Sequence, residues 1–346
     1  MPRRCQQGCT ERPPGTTRAG PDRGSQPGWR YGRGDPARGR LRGEVTLLGA
    51  EYELPYERPE LSKRYLAGEV NAGSLRTYPA AFYRDHRITL RLGKTAAGLD
   101  TARRLVRLVR LASGDQLPYG TLVIATGASN TRPPIPGLDL TGVHQLRTLA
   151  DADRLRSALA GVSSAVVVGM GFIGWEITAT HLPWRRGHRR RRRPGLLWTA
   201  LGPELSAVIR RWHEERGVRI LTDQSVTAFR PNLSGSTVAA VELASGERLH
   251  AGLVVVGVGA RPNTGWLADT PLHLAAGRAI GVDQHRPHHS SRDLGGRRRP
   301  RHLGPGQRKP PSARAWASAI EQAQRAARAI AGTPTKPAAA PYLGRE

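Results

Sequence analysis

Residues 165–176 read Ala-Val-Val-Val-Gly-Met-Gly-Phe-Ile-Gly-Trp-Glu, an apolar run, three spaced glycines and then an acid. The chemistry available at this spacing is phosphate binding by backbone. Gly169 permits a tight turn, Gly171 lets the main chain approach a pyrophosphate, and Gly174 lets a helix pack on the strand before it. The helix start adds unpaired N–H groups and the positive end of a dipole. Phe172 and Ile173 sit inside the motif, and Ile173 shares a helical stripe with Ile177. A glycine-rich strand–helix turn that binds nothing has the same spacing, so the motif must be weighed with its surroundings.

Three other groups could join that chemistry. The nonapeptide Pro55-Tyr56-Glu57-Arg58-Pro59-Glu60-Leu61-Ser62-Lys63 places two cations five residues apart. Glu51 follows the short apolar run at 44–48, where an acid past a strand of a dinucleotide fold can hold a ribose hydroxyl. A surface acid at a strand end reads identically. Two further apolar runs end in glycine, one through Ala125-Thr126-Gly127 and one through Val258-Gly259-Ala260-Arg261-Pro262-Asn263.

The elements that must position these groups alternate between strand and helix patterns. Strand patterns occupy 44–48, 88–92, 105–111 with a Ser113-Gly114-Asp115 turn, and 119–127 as a buried strand. The nonapeptide leads into a short helix within 54–69, and a Pro-rich connector fills 132–137. Helical pattern covers 151–160, follows the glycine motif, and returns at 203–216; strands follow at 218–221, 237–243 and 253–258. An Ala-rich amphipathic helix at 315–331 opens near Trp316.

The net charge of +27 is concentrated. Residues 1–43, 181–195 and 284–314 hold +7, +7 and +8, leaving +5 for the rest. These blocks lack helical or alternating apolar patterning. Basic nucleic-acid-binding arms are one reading, opposed by sparse aromatic interleaving at Trp29, Tyr31 and Trp184. Solvated linkers are a second. The third, preferred here, is out-of-frame translation of a GC-rich gene, because each block begins where an element should continue. The only cysteines, Cys5 and Cys9, lie in the first block and define no disulfide framework. No apolar run reaches the length of a membrane span and no apolar leader opens the chain, which points to a cytoplasmic protein.

Taken together, the motifs resemble the flavin-dependent ferredoxin reductases of bacterial oxygenase systems, the putidaredoxin reductase-like group of the pyridine nucleotide-disulfide oxidoreductases. The nonapeptide is similar to that family's PYxRPPLSK, and the resemblance spans roughly 44–180, 196–283 and 315–342. It implies an α/β protein with two Rossmann-like dinucleotide-binding domains, an FAD domain with an inserted NAD(P)H domain, interrupted by the three basic segments. The expected layout is a disordered basic segment at 1–43 and the first part of the FAD domain at 44–145. The NAD(P)H domain follows at 146–265, disrupted at 181–195, and the second FAD part at 266–346, disrupted at 284–314. The C-terminal domain is expected to be missing, and the chain to be frameshifted.

The resemblance also implies roles. Lys63 and Glu176 form the catalytic pair, with Lys63 near the flavin's reactive nitrogen, where an ammonium stabilises negative charge on the reduced ring. A carboxylate beside the lysine keeps it charged. From spacing alone Lys63 could be a solvated residue and Glu176 a first-turn acid favoured by the helix dipole. Glu51, Arg58, Lys63, Thr126, Gly127 and Trp316 are the expected FAD residues, Trp316 alternatively being a core tryptophan. Gly169, Gly171, Phe172, Ile173, Gly174 and Gly259 are expected at NAD(P)H. The absence of a cysteine pair near Lys63 argues against the disulfide reductases.

The implied activity is electron transfer from NAD(P)H through FAD to a ferredoxin-type iron–sulfur protein that feeds an oxygenase or cytochrome P450. The departures are the family's first FAD fingerprint, absent from 1–43, its Gly-Asp-Val segment, absent near 284–314, and the strand after Thr180, expected to be missing. They leave an inactive remnant with impaired FAD binding as the alternative, and a nucleic-acid-binding protein as a less favoured one.

Overall fold

The computed structural model describes residues 43–109, 115–169, 171–181, 187–191, 196–272, 274, 279–280 and 316–332. Along the chain run strands β1 (Val45–Leu48), helix α1 (Ala80–Asp85), β2 (Ile88–Arg91), β3 (Thr95–Asp100), β4 (Leu105–Val109), β5 (Gln116–Pro118) and β6 (Ala128–Asn130). Then come β7 (Val143–His144), α2 (Leu149–Leu159), β8 (Ala165–Val168), α3 (Phe172–His181), β9 (Gly187–Arg191) and α4 (Leu196–Glu214). The remainder is β10 (Arg219–Thr222), β11 (Val226–Pro231), β12 (Val238–Leu243), β13 (Arg248–His250), β14 (Leu253–Val256), β15 (Ala260–Pro262) and α5 (Trp316–Ile330).

The centre is a five-stranded parallel sheet ordered β10-β9-β8-β14-β7. Its middle strands, Ala-Val-Val-Val in β8 and Leu-Val-Val-Val in β14, are buried at every position, as expected where both faces of a parallel sheet are covered. The pleat sorts their side chains by parity. Ala165, Val167, Leu253 and Val255 face a core with Leu155 of α2 and Ile177 of α3, together with Leu61, Tyr65 and Leu66 from the nonapeptide region. Val166, Val168, Val254 and Val256 face the opposite core, against Phe229, Val241 and Leu249 of the antiparallel β11-β12-β13 layer. The parallel sheet is therefore fixed on one side by the segment that carries Lys63.

The second unit is smaller. Parallel β1 and β2, the β3-β4-β5 meander and the β6-β15 pair surround a core of Leu99, Val106 and Leu267 with Leu48, Leu122 and Ile124 at its margin. Since Leu267 follows β15, chain from both sides of the parallel-sheet unit closes this core. Helix α2 begins at a capping box in which Thr148 and Asp151 satisfy each other's backbone N–H groups.

Several expectations change. The strand expected to be missing after Thr180 is present: β9 pairs in parallel with β8 and β10 inside the arginine-rich stretch. Ladder bonds join main-chain groups, so an absent side-chain pattern did not prevent pairing. Residues 119–127, expected as a buried strand, join no ladder among the described residues and are half-buried to exposed. The apolar Leu122 and Ile124 are held by packing, while the backbone runs as loop. The short helix expected within 54–69 is a single 3-10 turn at Pro59–Ser62, inside the nonapeptide. Within α4 the backbone breaks at Gly202, with φ 79° and ψ 173°, and re-enters helix at Pro203. Strands β3, β5, β6, β7, β11 and β13 and helix α1 had no expected counterpart. The readings for 1–42, the 110–114 turn, 182–186, 192–195, 281–315 and 333–346, including Cys5 and Cys9, lie outside the described residues.

Candidate functional site

The three glycines between β8 and α3 have three different reasons to be glycine. Gly169 has φ +114°, and a Cβ there would lie 2.2 Å from the carbonyl oxygen of Gly257. Gly174 sits so close beneath the turn that a Cβ would lie 2.4 Å from the Gly169 carbonyl oxygen. At Gly171 the nearest atom to a Cβ, among the described residues beyond its chain neighbours, is 4.0 Å away, so their packing does not require glycine there. Its bareness suits an external group approaching the main chain at the start of α3. Phe172, the first residue of α3, is 40% exposed beside it, whereas Ile173 packs into the helix-side core.

One turn further along α3, Glu176 meets the nonapeptide. Lys63 Nζ lies 3.9 Å from Glu176 Oε1, both side chains about 30% exposed. The Ser62 hydroxyl donates to Glu176 Oε2 at 2.5 Å. Thr180 Oγ1 donates to the Glu176 carbonyl at 2.8 Å and reaches the Ser62 carbonyl at 3.4 Å. The structure thus brings the two expected catalytic residues together between the nonapeptide and α3.

A second cluster gathers Glu51, Tyr56, Arg58 and Arg147. Arg58 pairs with Glu51 Oε1, donates to the Arg147 carbonyl at 2.7 Å, and lies over the Tyr56 ring at 5.0 Å. The Tyr56 hydroxyl donates to Glu51 Oε2 at 2.6 Å and accepts from the Leu149 N–H at 2.9 Å. Glu51 is therefore engaged at both oxygens. Burial pushes the Tyr56 phenol well above the ordinary tyrosine range, against the nearby Arg58 charge and with the Glu51 hydrogen bond. Arg147 contributes a buried Nε with no hydrogen-bond partner, and burial with the Arg58 charge lowers its guanidinium from the usual value. Gly127 borders this cluster: a Cβ there would lie 3.5 Å from Arg147 Nη2.

The remaining expected residues meet where β6 pairs with β15. Thr126 Oγ1 donates to the Asn263 carbonyl at 2.7 Å, Asn263 Nδ2 donates to the Thr126 carbonyl at 3.0 Å, and Ser129 Oγ donates to Asn263 Oδ1 at 2.8 Å. Gly259, at φ +119°, accepts from the Thr131 N–H at 2.8 Å. Gln145 Nε2 donates to the Thr131 carbonyl at 2.9 Å. The short segment between β7 and α2 therefore touches both neighbourhoods, Gln145 toward Gly259 and Arg147 toward Gly127. The partners of Glu176 include Lys63 and Ser62, and those of Glu51 include Tyr56 and Arg58. Trp316 begins α5, and its side chain lies outside the described residues.

Ser62, Arg147, Gln145 and Asn263 were not singled out from sequence. Ser62 and Asn263 stood inside quoted motifs. Arg147 carried a signal of its own: a cation just before a helix start opposes the helix dipole and invites another reason for being there.

The fold and these clusters define an α/β protein whose dinucleotide-type strand–glycine–helix turn follows the central strand of a parallel sheet. Residues 36–288 match the pyridine nucleotide-disulphide oxidoreductase family, and the chain belongs to it. Rhodocoxin reductase of Rhodococcus erythropolis is 37% identical over 254 residues, which cover 70% of this chain and 56% of the relative. A ferredoxin–NAD(P)+ reductase of a Sphingomonas species is 36% identical over 238 residues, covering 68% of this chain and 55% of the relative. The chain thus spans just over half the length of these curated relatives. Among solved structures, the covalent putidaredoxin reductase–putidaredoxin complex matches at a TM-score of 0.73 and 28% identity, covering 84% of this chain and 70% of that one. No described helix is long and apolar enough to cross a membrane, and no described group of side chains could hold a metal ion.

Proposed function

We propose that this chain is an FAD-dependent NAD(P)H oxidoreductase that passes electrons to a ferredoxin-type iron–sulfur protein serving an oxygenase or cytochrome P450. The observation that carries the reading is the Lys63–Glu176 pair, formed between the nonapeptide and the helix that follows the glycine turn. The relatives named as ferredoxin and rhodocoxin reductases support the acceptor class.

The residues fit both nucleotides. The open face of Gly171 and the start of α3 suit a nicotinamide nucleotide's pyrophosphate, with Phe172, Ile173, Gly169, Gly174 and Gly259 shaping the approach. The orphaned Nε of Arg147, beside Gly127 and Arg58, is a buried donor awaiting an anionic or carbonyl acceptor, which suits FAD. In this reading Glu51, Arg58, Lys63, Thr126, Gly127 and Trp316 line the FAD site, and Tyr56 and Arg147 join them. FAD, when bound, supplies the exchange between two-electron and one-electron chemistry. Lys63 holds positive charge at the junction, and Glu176 fixes where that charge stands. Arg58 and Tyr56 keep Glu51 in place.

By the same reading residues 44–145 and 266–346 belong to the FAD unit, residues 146–265 form the NAD(P)H unit, and the protein works in the cytoplasm. The test is reduction of a [2Fe–2S] ferredoxin by NADH or NADPH with the FAD-supplemented chain. Bleaching of the ferredoxin that depends on both FAD and nucleotide supports the function. Nucleotide oxidation without ferredoxin bleaching, or neither, contradicts it.

A further inference from the structure

We propose that Ser62 is a positioning residue that fixes the Glu176 carboxylate and, through it, the place of the Lys63 ammonium. This rests on the reading of Lys63 and Glu176 as the pair beside the flavin.

Three observations carry it. Ser62 is only 4% exposed, so water does not compete for its hydroxyl. That hydroxyl has one hydrogen and two acceptors in reach, Glu176 Oε2 at 2.5 Å and the Pro59 carbonyl at 3.4 Å, and the short contact to a carboxylate is the stronger. Lys63 stands 3.9 Å from the other oxygen, Oε1, beyond direct hydrogen-bond distance, so the lysine does not by itself set the carboxylate's orientation. The Thr180 hydroxyl, 2.8 Å from the Glu176 carbonyl and 3.4 Å from the Ser62 carbonyl, ties the same two backbones together. The 3-10 turn at Pro59–Ser62 and α3 are thus joined at the one place where the charged pair forms. With the hydroxyl gone, the carboxylate loses a charge-assisted bond at Oε2, and with it one restraint on where the ion pair with Lys63 lies.

The experiment uses the full chain reconstituted with FAD, in wild-type, Ser62→Ala, Ser62→Thr and Lys63→Met forms, with the flavin midpoint potential read by dye equilibration. Ser62→Ala should keep its flavin absorbance while the reduction equilibrium falls about tenfold, or about 30 mV for a two-electron couple. Ser62→Thr, which restores a hydroxyl, should recover most of that shift. A second measurement needs no flavin: a double-mutant cycle of Ser62→Ala and Glu176→Gln, read by urea unfolding, should show non-additivity. An unshifted potential in Ser62→Ala, loss of FAD by that variant, or an additive cycle overturns the proposal. An unshifted potential in Lys63→Met instead overturns the reading of the charged pair itself.

Discussion

Replacing Gly171 and Gly169 separately by alanine should give opposite phenotypes, because the two glycines answer to different demands. At Gly169 the new methyl would lie 2.2 Å from the Gly257 carbonyl oxygen, on a backbone with φ +114°. A non-glycine residue held in such a region costs about 1–3 kcal/mol, and overpacking against backbone adds about 1–3 kcal/mol more. Gly169→Ala should therefore lose roughly 2–6 kcal/mol of folding stability. At Gly171 the nearest atom is 4.0 Å away and φ is not positive, so Ala costs only about 1 kcal/mol or less as a poorer helix cap. The methyl would, however, stand where a pyrophosphate approaches. Losing one hydrogen bond to a charged oxygen is worth about 1.5–3 kcal/mol, or tenfold or more in the nucleotide's dissociation constant. Urea unfolding and NADH titration followed by fluorescence, on both variants, separate the effects. A Gly171→Ala protein that binds NADH as tightly as wild type, or unfolds as early as Gly169→Ala, refutes the assignment of Gly171 to a ligand.

Tyr56→Phe should cost about 1–3 kcal/mol, since it leaves the Leu149 N–H and a Glu51 oxygen without the hydroxyl that pairs them; urea unfolding at neutral pH checks this. Because folding raises the Tyr56 phenol above its ordinary value, its stabilisation is complete below about pH 10 and is lost as pH climbs beyond it. The alkaline fall in unfolding midpoint should accordingly be shallower in Tyr56→Phe. Arg147→Met should leave stability unchanged or raised, because it removes a half-buried cation whose buried Nε has no partner, while weakening FAD at least about tenfold in an absorbance titration. Lys63→Met should retain FAD but slow its reduction by NADH about 10²–10³-fold in stopped flow, the usual cost of removing one electrostatic donor.

How far the sequence could be read depended on what each residue answers to. β8 and β14 were legible because burial on both faces demands an unbroken apolar run, and their parity explains why each Val is needed. The glycine turn was legible because backbone clashes of 2.2 and 2.4 Å admit no other residue at Gly169 and Gly174. β9 was illegible because its place between β8 and β10 is held by main-chain bonds. Strand-like Leu122 and Ile124 misled in the other direction, being apolar for core packing without a ladder. In the site, Arg58 and Lys63 stood out by type, and their motif named Tyr56 and Ser62 without giving them work. The Ser62–Glu176 bond spans 114 positions, and Tyr56–Leu149 spans 93, distances that no local pattern encodes. Arg147 left a local trace, a cation ahead of a helix start, but the helical pattern began at 151 and hid how close to that start it stands.

The visible absorption spectrum of the purified chain, before and after FAD is added and then with NADH, tests the central claim most directly. Flavin bands at near-stoichiometric amount, bleached by NADH in wild type and only slowly in Lys63→Met, are the expected result. A chain that stays colourless after FAD, or holds flavin that NADH never bleaches, would contradict it.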